Sequence, residues 1–366
     1  MKKKGVLVLE DGTVVEGECF GAEGEAVGEV VFTTGMVGYQ EAITDPSFKY
    51  EILVPTYPLM GNYGITPERF ESQGVWMEGM VVRELCHKPS HGRIIKTLDD
   101  FLMEHGVPGL EGADTRFLTR KLRTHGSLLG ILKCPYEPSD VEDLKAKLAK
   151  AKPITEVDLV DSVSTKEVVI HDTKNATHTM VLIDCGTKAS IIENLVRRGI
   201  KVVQVPARTD HKKILEFEPD GIAVSNGPGD PGRAEYVIDT IKKLVDEQLP
   251  TFGICFGSQL IGLALGGKRY KMKFGHRGAN QPVKDLRTKK VYITSQNHGF
   301  AIDAESLDGT GAEVSHISLN DKTVEGIRHG ELPIMSVQYH PEATPGPQDT
   351  NYIFDEFIGL MKKWGK

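Results

Sequence analysis

A cysteine set between two glycines is the feature of this sequence most suited to covalent chemistry. Cys255 follows an apolar, β-type run that ends at Ile254, and an apolar helical pattern begins just after Gly257. A nucleophile on a sharp strand-to-helix turn needs small neighbours, which Gly253 and Gly257 provide. The helix N-terminus at the cysteine favours a thiolate over a thiol. Cys255 is therefore predicted to be a nucleophile, although the same pattern also fits a buried structural cysteine.

A cysteine nucleophile needs a base, and the last third of the sequence offers one. His340 follows an apolar, β-branched run and precedes Pro341, which favours extended backbone at the histidine. Residues two apart in an extended chain point the same way, so Glu342 can accept a hydrogen bond from the imidazole. Cys255, His340 and Glu342 would then form a catalytic triad in which the carboxylate orients the base. Taken alone, His340 also fits a surface histidine in a proline-rich turn.

A loop rich in glycine and proline offers groups that could stabilise a developing oxyanion. Residues 226–232 follow a buried-strand pattern at 221–225. The backbone N–H of Gly227 or Gly229 is one expected donor, and the N–H of Phe256, next to the nucleophile, is the other. Pro228 has no N–H and cannot contribute. On its own, this loop also fits an ordinary turn.

The order of the elements predicts the fold that must position these residues. Strand and helix patterns alternate over residues 178–366, which predicts an α/β domain with a doubly wound, mostly parallel sheet. Residues 1–150 combine short strands with a few helices, which predicts a separate N-terminal domain of mixed β/α structure. The polar, irregular stretch 151–177 predicts a connector between the two domains.

Composition and spacing argue against several other classes of function. The 366 residues carry a net charge of −7, which argues against a nucleic-acid partner. No apolar run is long enough for a membrane span, so we expect a cytoplasmic protein with no membrane association. The five cysteines are odd in number and widely spaced, which argues against a disulfide framework. No CxxC or HxxxH spacing predicts a metal site, and Arg269 replaces the Ser or Thr of a phosphate-binding loop near Lys268.

The motifs together resemble class I glutamine amidotransferases, and more specifically the small subunits of carbamoyl-phosphate synthases. The first likeness rests on Ser-Asn-Gly-Pro-Gly-Asp-Pro at 225–231, Gly-Ile-Cys-Phe-Gly-Ser-Gln at 253–259 and His-Pro-Glu at 340–342. The second rests on Phe-Gly-His at 274–276, Gln-Asn-His-Gly-Phe at 296–300, Gly-Tyr-Gln-Glu at 38–41 and Thr-Asp-Pro-Ser at 44–47. It extends over essentially the whole chain.

The resemblance implies hydrolysis of glutamine to glutamate and ammonia through a glutamyl thioester. The ammonia would pass to a large synthetase subunit that makes carbamoyl phosphate for arginine and pyrimidine biosynthesis. ATP and Mg²⁺ are expected only on that large subunit, with no cofactor and no metal in this chain. Ser47 would bring the N-terminal domain, which is the expected docking surface, to the site. The glutamine contacts implied by the family are Ser47, Gly227, Gly229, Phe256, Gln259, Asn297, Gly299 and Phe300.

One position departs from the family pattern. Ser258 stands where the family usually has histidine, and a serine can form hydrogen bonds but carries no charge near neutral pH. Two alternative functions stay open: an amidotransferase subunit of a different synthase, and a non-catalytic scaffold subunit. The N-terminal motifs argue against the first alternative, and the complete triad argues against the second.

Overall fold

The computed structural model describes residues 3–364, and the chain divides into two compact units, Met1–Val157 and Asp158–Lys366. The boundary lies inside the stretch 151–177 that the sequence predicts as a connector. The latter part of this stretch is ordered, because it contains a helix at Val160–Val163 and a strand at Val169–His171 that joins the larger sheet. Within residues 3–364, no helix combines the length and apolarity that a membrane crossing requires.

The N-terminal unit is built around a closed β-barrel. Strand β1 closes it by pairing antiparallel with both β2 and β9, in the order β1-β2-β8-β6-β4-β3-β9. Leu7 and Leu9 of β1 face the barrel interior, whereas Val6 and Val8 pack against α4. The strands are β1 (Lys4–Leu9), β2 (Val14–Gly21), β3 (Gly24–Thr33), β4 (Glu51–Pro55), β5 (Leu59–Met60), β6 (Gly79–Val81), β7 (Glu84–Leu85), β8 (Pro108–Glu111) and β9 (Leu128–Cys134). The helices are α1 (Tyr39–Ile43), α2 (Leu98–Glu104), α3 (Thr115–His125) and α4 (Val141–Leu148).

The C-terminal unit contains the large sheet. Its strands are β10 (Val169–His171), β11 (His178–Asp184), β12 (Ile200–Pro206), β13 (Gly221–Val224), β14 (Thr251–Ile254), β15 (Arg269–Asp285), β16 (Val291–Ile302), β17 (Ala312–Ser318), β18 (Val324–His329) and β19 (Ile334–Val337). Its helices are α5 (Val160–Val163), α6 (Ala189–Arg197), α7 (His211–Leu215), α8 (Glu235–Asp246), α9 (Phe256–Ala264) and α10 (Tyr352–Trp364).

A parallel centre and an antiparallel extension make up this sheet. Strands β12, β11, β13, β14 and β19 lie side by side and run parallel, which confirms the predicted doubly wound α/β fold. Beyond β19, the strands β18, β17, β15 and β16 pair antiparallel in that order. Every residue of β13 and β14 is buried, as expected for central strands with helices on both faces.

Alternating residues of the central strands build two separate cores. Val181 and Ile183 of β11 face α8 and α9, while Met180 and Leu182 face α6 and α10. Because parallel strands end at the same edge, the segments after β11, β13, β14 and β19 converge there. The carboxyl edge of the sheet therefore collects the residues that follow those strands, including Cys255 and His340.

Candidate active site

Cys255 lies on a strained turn between β14 and α9. Its backbone has φ 54° and ψ −105°, a region that non-glycine residues rarely adopt, and it is the N-cap of α9. Its N–H donates to the carbonyl of Val337 on β19 at 2.8 Å. A Cβ at Gly257 would lie 2.1 Å from the carbonyl oxygen of Val224, so the turn requires glycine there. This is the geometry of a nucleophile elbow.

His340 is held beside this turn by its backbone and by its ring. The backbone N–H donates to the carbonyl of Ser295 at 2.9 Å. The ring Nδ1 donates to Oε1 of Glu342 at 2.6 Å, and both side chains are buried. The other ring nitrogen, Nε2, has no hydrogen-bond partner among residues 3–364, so it is available to accept a proton from Cys255.

A buried lysine contacts the same carboxylate oxygen of Glu342 as His340 does. The Nζ of Lys188 contacts Oε1 of Glu342 at 2.8 Å and donates to the carbonyl of Thr344 at 2.6 Å. The backbone N–H of Lys188 donates to the side chain of Asn226, in the glycine-rich loop, at 3.1 Å. Lys188 therefore connects the triad carboxylate to that loop.

Neighbouring charges shift the pKa values of Glu342 and His340 more strongly than burial does. Burial alone would raise the pKa of Glu342, but Lys188 and His340 hold that pKa down to about 2. Burial alone would lower the pKa of His340, but Glu342 and the nearby Cys255 thiol raise it to about 10. The carboxylate is thus ionised at neutral pH, and His340 holds a proton firmly, which favours transfer of the Cys255 proton to the ring.

Two further groups contact the sulfur of Cys255. The thiol donates to the backbone carbonyl of Asn297 at 3.5 Å, and Nε2 of Gln338 donates to Sγ at 3.6 Å. Gln338 and His340 are two residues apart, so the extended segment directs both side chains toward the cysteine. Gln338 was not predicted from the sequence, although its position two residues before His340 is a signal that it faces the site.

The loop expected to form the oxyanion hole lies against the residue after the nucleophile. A Cβ at Gly227 would lie 2.4 Å from the carbonyl of Cys185 and 3.1 Å from the ring of Phe256. Gly229 has φ 79°, in the left-handed region that favours glycine. Phe256 is the first residue of α9, where N–H groups have no acceptor within the helix. The structure therefore brings Gly227 and Phe256 together, and their role as donors stays a prediction.

The side chain of Gln259 takes part in a buried hydrogen-bond network. Its Nε2 donates to the carbonyl of Phe300 at 2.7 Å and to Oε1 of Gln338 at 3.1 Å. Both of its amide N–H groups are thus used within the protein, which leaves the side-chain carbonyl oxygen for any contact with glutamine. Through Gln338, this network reaches the sulfur of Cys255.

The sequence around Asn297, Gly299 and Phe300 predicts a loop after a strand at 290–295, and this prediction is wrong. They lie within β16, where Asn297 pairs with Arg277 of β15 and Phe300 pairs with Lys271. Two register shifts interrupt the pairing of β15 with β16, so the polar and glycine residues occupy a strand without regular alternation. The strand nevertheless places the backbone of Asn297 at the sulfur of Cys255.

Two further residues that the sequence analysis named are Ser47, an expected glutamine contact, and Ser258, the departure from the family pattern. Ser47 belongs to the N-terminal unit, where it lies buried in a short 3₁₀ turn and its N–H donates to Asp45 at 2.9 Å. Its role as a glutamine contact stays a prediction. Ser258 lies on α9 and shares a buried hydrogen bond of 2.8 Å with the hydroxyl of Ser336 on β19. The short side chain of Ser258 thus has a hydrogen-bond partner within its reach.

This site on this fold defines a glutamine amidotransferase, as comparison with known families shows. Residues 181–360 match the family model of class-I glutamine amidotransferases, and residues 7–132 match that of the carbamoyl-phosphate synthase small chain, CPSase domain.

Full-length relatives specify the family. The chain is 55% identical to the carbamoyl phosphate synthase small chain of Methanocaldococcus jannaschii, over 98% of this chain and 99% of the relative. It is 51% identical to that of Methanopyrus kandleri, over 98% and 99% of the two chains. It is 49% identical to that of Archaeoglobus fulgidus, over 99% of each. This chain therefore belongs to the carbamoyl phosphate synthase small chain family.

Proposed function

We propose that this chain hydrolyses glutamine to glutamate and ammonia and delivers the ammonia to a large synthetase subunit that makes carbamoyl phosphate. One observation carries the catalytic part of the proposal: a strained cysteine at a helix N-terminus lies beside a buried histidine whose Nδ1 is bound to Glu342 at 2.6 Å. The names of the full-length relatives support the partner and the product. Arginine and pyrimidine biosynthesis are the expected consumers of carbamoyl phosphate.

In the first half of the reaction, His340 takes the proton of Cys255. The thiolate attacks the carbonyl carbon of the glutamine side chain, and backbone N–H groups of Gly227 and Phe256 stabilise the tetrahedral oxyanion. The imidazolium of His340 then donates its proton to the leaving nitrogen. The C–N bond breaks, ammonia leaves and a glutamyl thioester remains on the sulfur.

In the second half, His340 takes a proton from a water molecule, and the resulting hydroxide attacks the thioester. The C–S bond breaks, glutamate leaves, and His340 returns the proton to the sulfur of Cys255. Glu342 keeps the imidazole oriented and stabilises its charged form throughout, and Lys188 keeps Glu342 ionised. This hydrolysis requires no cofactor from the chain, and we assign ATP and Mg²⁺ to the large subunit.

Recognition of glutamine is assigned to the groups around the sulfur. On β16, the backbone of Asn297 contacts the sulfur of Cys255, and Gln259 binds the backbone of Phe300, so Asn297, Gly299 and Phe300 are proposed as glutamine contacts. The zwitterionic head of glutamine must be paired when it leaves water, and these polar groups can pair with it. Ser47 is proposed as a further contact.

The test is a glutaminase assay of the purified chain alone, with the large subunit, and with that subunit plus bicarbonate and ATP. We expect slow hydrolysis by the free chain and acceleration by the partner. Many enzyme active sites reach their catalytic arrangement only after a conformational change. A Cys255→Ser chain provides the matched background at each condition. Hydrolysis that is fast in the free chain and unchanged by partner or nucleotide would contradict the coupling.

The two alternative functions make different predictions. For a scaffold subunit, a glutamine-like electrophile would leave Cys255 unlabelled, whereas mass spectrometry should show one adduct at that residue if the triad is active. For a different synthase, the chain would stimulate no carbamoyl phosphate formation with the large subunit. The match of residues 7–132 to the small-chain domain argues against that outcome.

A further inference from the structure

Two histidines and a glutamate converge inside the antiparallel extension of the large sheet. His276 lies on β15, His298 on β16 and Glu325 on β18, and all three side chains are buried. One ring nitrogen of each histidine and one carboxylate oxygen lie within 4.8 Å of one another. The rings of His276 and His298 meet edge to face, with centroids 5.1 Å apart. Nitrogen and oxygen atoms in such a group are potential metal ligands.

One ring nitrogen of each histidine makes a hydrogen bond to a group outside the three-residue cluster. The Nε2 of His276 binds the carboxylate of Asp321 at 2.9 Å. The Nδ1 of His298 meets the backbone carbonyl of Phe300 at 2.8 Å. Histidines that ligate metals almost always donate their second N–H to a carboxylate, a backbone carbonyl or water. Both histidines follow this arrangement.

The atoms that face the cluster lack hydrogen bonds. Nδ1 of His276 and Oε1 of Glu325 are buried without a hydrogen-bond partner among the described residues. They lie 3.4 Å apart, which is longer than the roughly 2.7–2.9 Å of a charge-assisted hydrogen bond. Two ligands on a tetrahedral zinc ion, with bonds of about 2.0–2.2 Å, lie about 3.4 Å apart.

The contacts of His298 are inconsistent with hydrogen bonding alone. Its Nδ1 faces the carbonyl of Phe300, and its Nε2 faces Oε1 of Gln296 at 3.1 Å, so both nitrogens meet acceptors. A neutral imidazole has only one N–H, so it can donate to only one of these two acceptors. With Oε1 of Gln296 facing Nε2 of His298, the amide N–H of Gln296 donates to Glu325 at 3.0 Å. A cation beside Nε2 removes this conflict.

We propose that His276, His298 and Glu325 bind a zinc ion, with Oε1 of Gln296 as the nearest oxygen for the fourth position. Two imidazoles and one carboxylate are a donor set that zinc favours. The ion would join β15, β16 and β18. Because His298 stands between Asn297 and Gly299, it would also fix the strand that carries the proposed glutamine contacts. Its role is structural, and metal binding does not depend on the proposed hydrolysis.

The first test is metal content. The full chain, purified without a polyhistidine tag and after dialysis, is analysed by inductively coupled plasma mass spectrometry. We expect about one zinc ion per chain in the wild type and at least a tenfold loss in His276→Asn and Glu325→Gln. Glu313→Gln, which removes an exposed carboxylate on neighbouring β17, is the matched control and should keep the full content. Zinc retained at wild-type level by both ligand variants would place the ion elsewhere and overturn the proposal.

The second test does not depend on the folding of the ligand variants. Cobalt added to chelator-treated wild-type chain should give the intense visible absorption of tetrahedral Co²⁺, and zinc should displace it. Asp321→Asn keeps all three ligands but weakens the support of His276, so zinc affinity in competition with a chromophoric chelator should fall about 10- to 100-fold. Absence of both stoichiometric zinc and a cobalt spectrum in the wild type would show that the cluster is only a network of hydrogen bonds and ion pairs.

Discussion

Lys188 and Glu342 form a buried ion pair, with Nζ and Oε1 2.8 Å apart, although they are separated by 154 positions in the sequence. Their side chains are 3% and 0% exposed. A carboxylate in such surroundings stays ionised only when cations compensate it, and here Lys188 and His340 both contact Oε1. The pair therefore links the stability of the C-terminal unit to the orientation of the catalytic base.

Replacing Lys188 by methionine should damage stability and activity together. The change removes one of the two cations that compensate the buried Glu342 carboxylate, with an expected loss of about 3–5 kcal/mol in the free energy of unfolding. The glutaminase kcat should also fall, because a protonated Glu342 stabilises the imidazolium less well. Urea unfolding and steady-state kinetics measure the two effects. Lys213→Met, at an exposed ion pair with Glu216, is the control and should cost less than about 1 kcal/mol. Equal losses in both variants would contradict the role of burial.

Cys255→Ser should abolish glutamine-dependent carbamoyl phosphate synthesis and leave synthesis from added ammonia intact. A serine hydroxyl at this position is a far weaker nucleophile at neutral pH than a thiolate. The measurement is product formation by the complex with either nitrogen donor. Cys86→Ser, outside the proposed site, is the control and should keep both activities. Substantial glutamine hydrolysis by the Cys255 variant would show that another residue is the nucleophile.

His340→Asn should be nearly as damaging as loss of the nucleophile, and Glu342→Gln distinctly milder. The histidine transfers protons in both halves of the reaction, whereas the carboxylate orients and stabilises it. Glu342→Gln also leaves Lys188 without its partner, so turnover must be expressed per folded molecule, measured by circular dichroism. Rapid-quench detection of the glutamyl thioester would show which half-reaction is slowed. A larger kcat loss in the glutamate variant would reverse the assigned roles.

Protonation of His340 should make stability depend on pH. Its pKa is raised to about 10 in the folded chain, because Glu342 and Cys255 outweigh burial, whereas an unfolded histidine titrates near about 6.5. Its stabilising effect is therefore complete below about pH 6.5 and is lost as the pH rises toward 10. The difference in unfolding free energy between wild type and His340→Asn should shrink over this range in urea titrations. A difference that is constant with pH would contradict the raised pKa.

Ser258→Ala should destabilise the chain without removing activity. The hydroxyl of Ser336 would lose its buried partner, at an expected cost of about 1–3 kcal/mol. Removing both hydroxyls, in Ser258→Ala with Ser336→Ala, should cost less than the single change, because no polar group is left unpaired. Chemical denaturation of the single and double variants makes the comparison. A double variant that loses the sum of both single effects would show that the two hydroxyls act independently.

The local parts of this site could be predicted from the sequence, and the contacts between distant segments could not. The elbow at Cys255 and the pairing of His340 with Glu342 depend on neighbouring residues, so residue type and spacing predict them. Lys188 follows a different strand, and only the order of strands in the sheet brings it to Glu342. Lysine is also a residue that is almost never buried, so its type gives no signal for this position.

The other features that the sequence did not predict also depend on pairing between strands that are distant in the chain. The strand that carries Asn297 lacks regular alternation because bulges interrupt its pairing with β15, and its glycine and polar residues are more typical of loops. Short strands were expected in the N-terminal unit, but closure of the barrel depends on β1 meeting β9 far along the chain. The His276, His298 and Glu325 cluster spans three strands and follows no short ligand spacing.

The adjacency of β14 and β19 has a consequence for the order of folding. These strands are neighbours in the sheet, yet α9 and the whole antiparallel extension lie between them in the chain. Contacts between residues so far apart in sequence form slowly, because closing a long loop is entropically unfavourable until many native contacts reward it. The nucleophile and its base therefore meet only when the extension is already in place. Recovery of glutamine hydrolysis during refolding should accordingly follow the slowest folding phase of the C-terminal unit, well after its helical signal has returned.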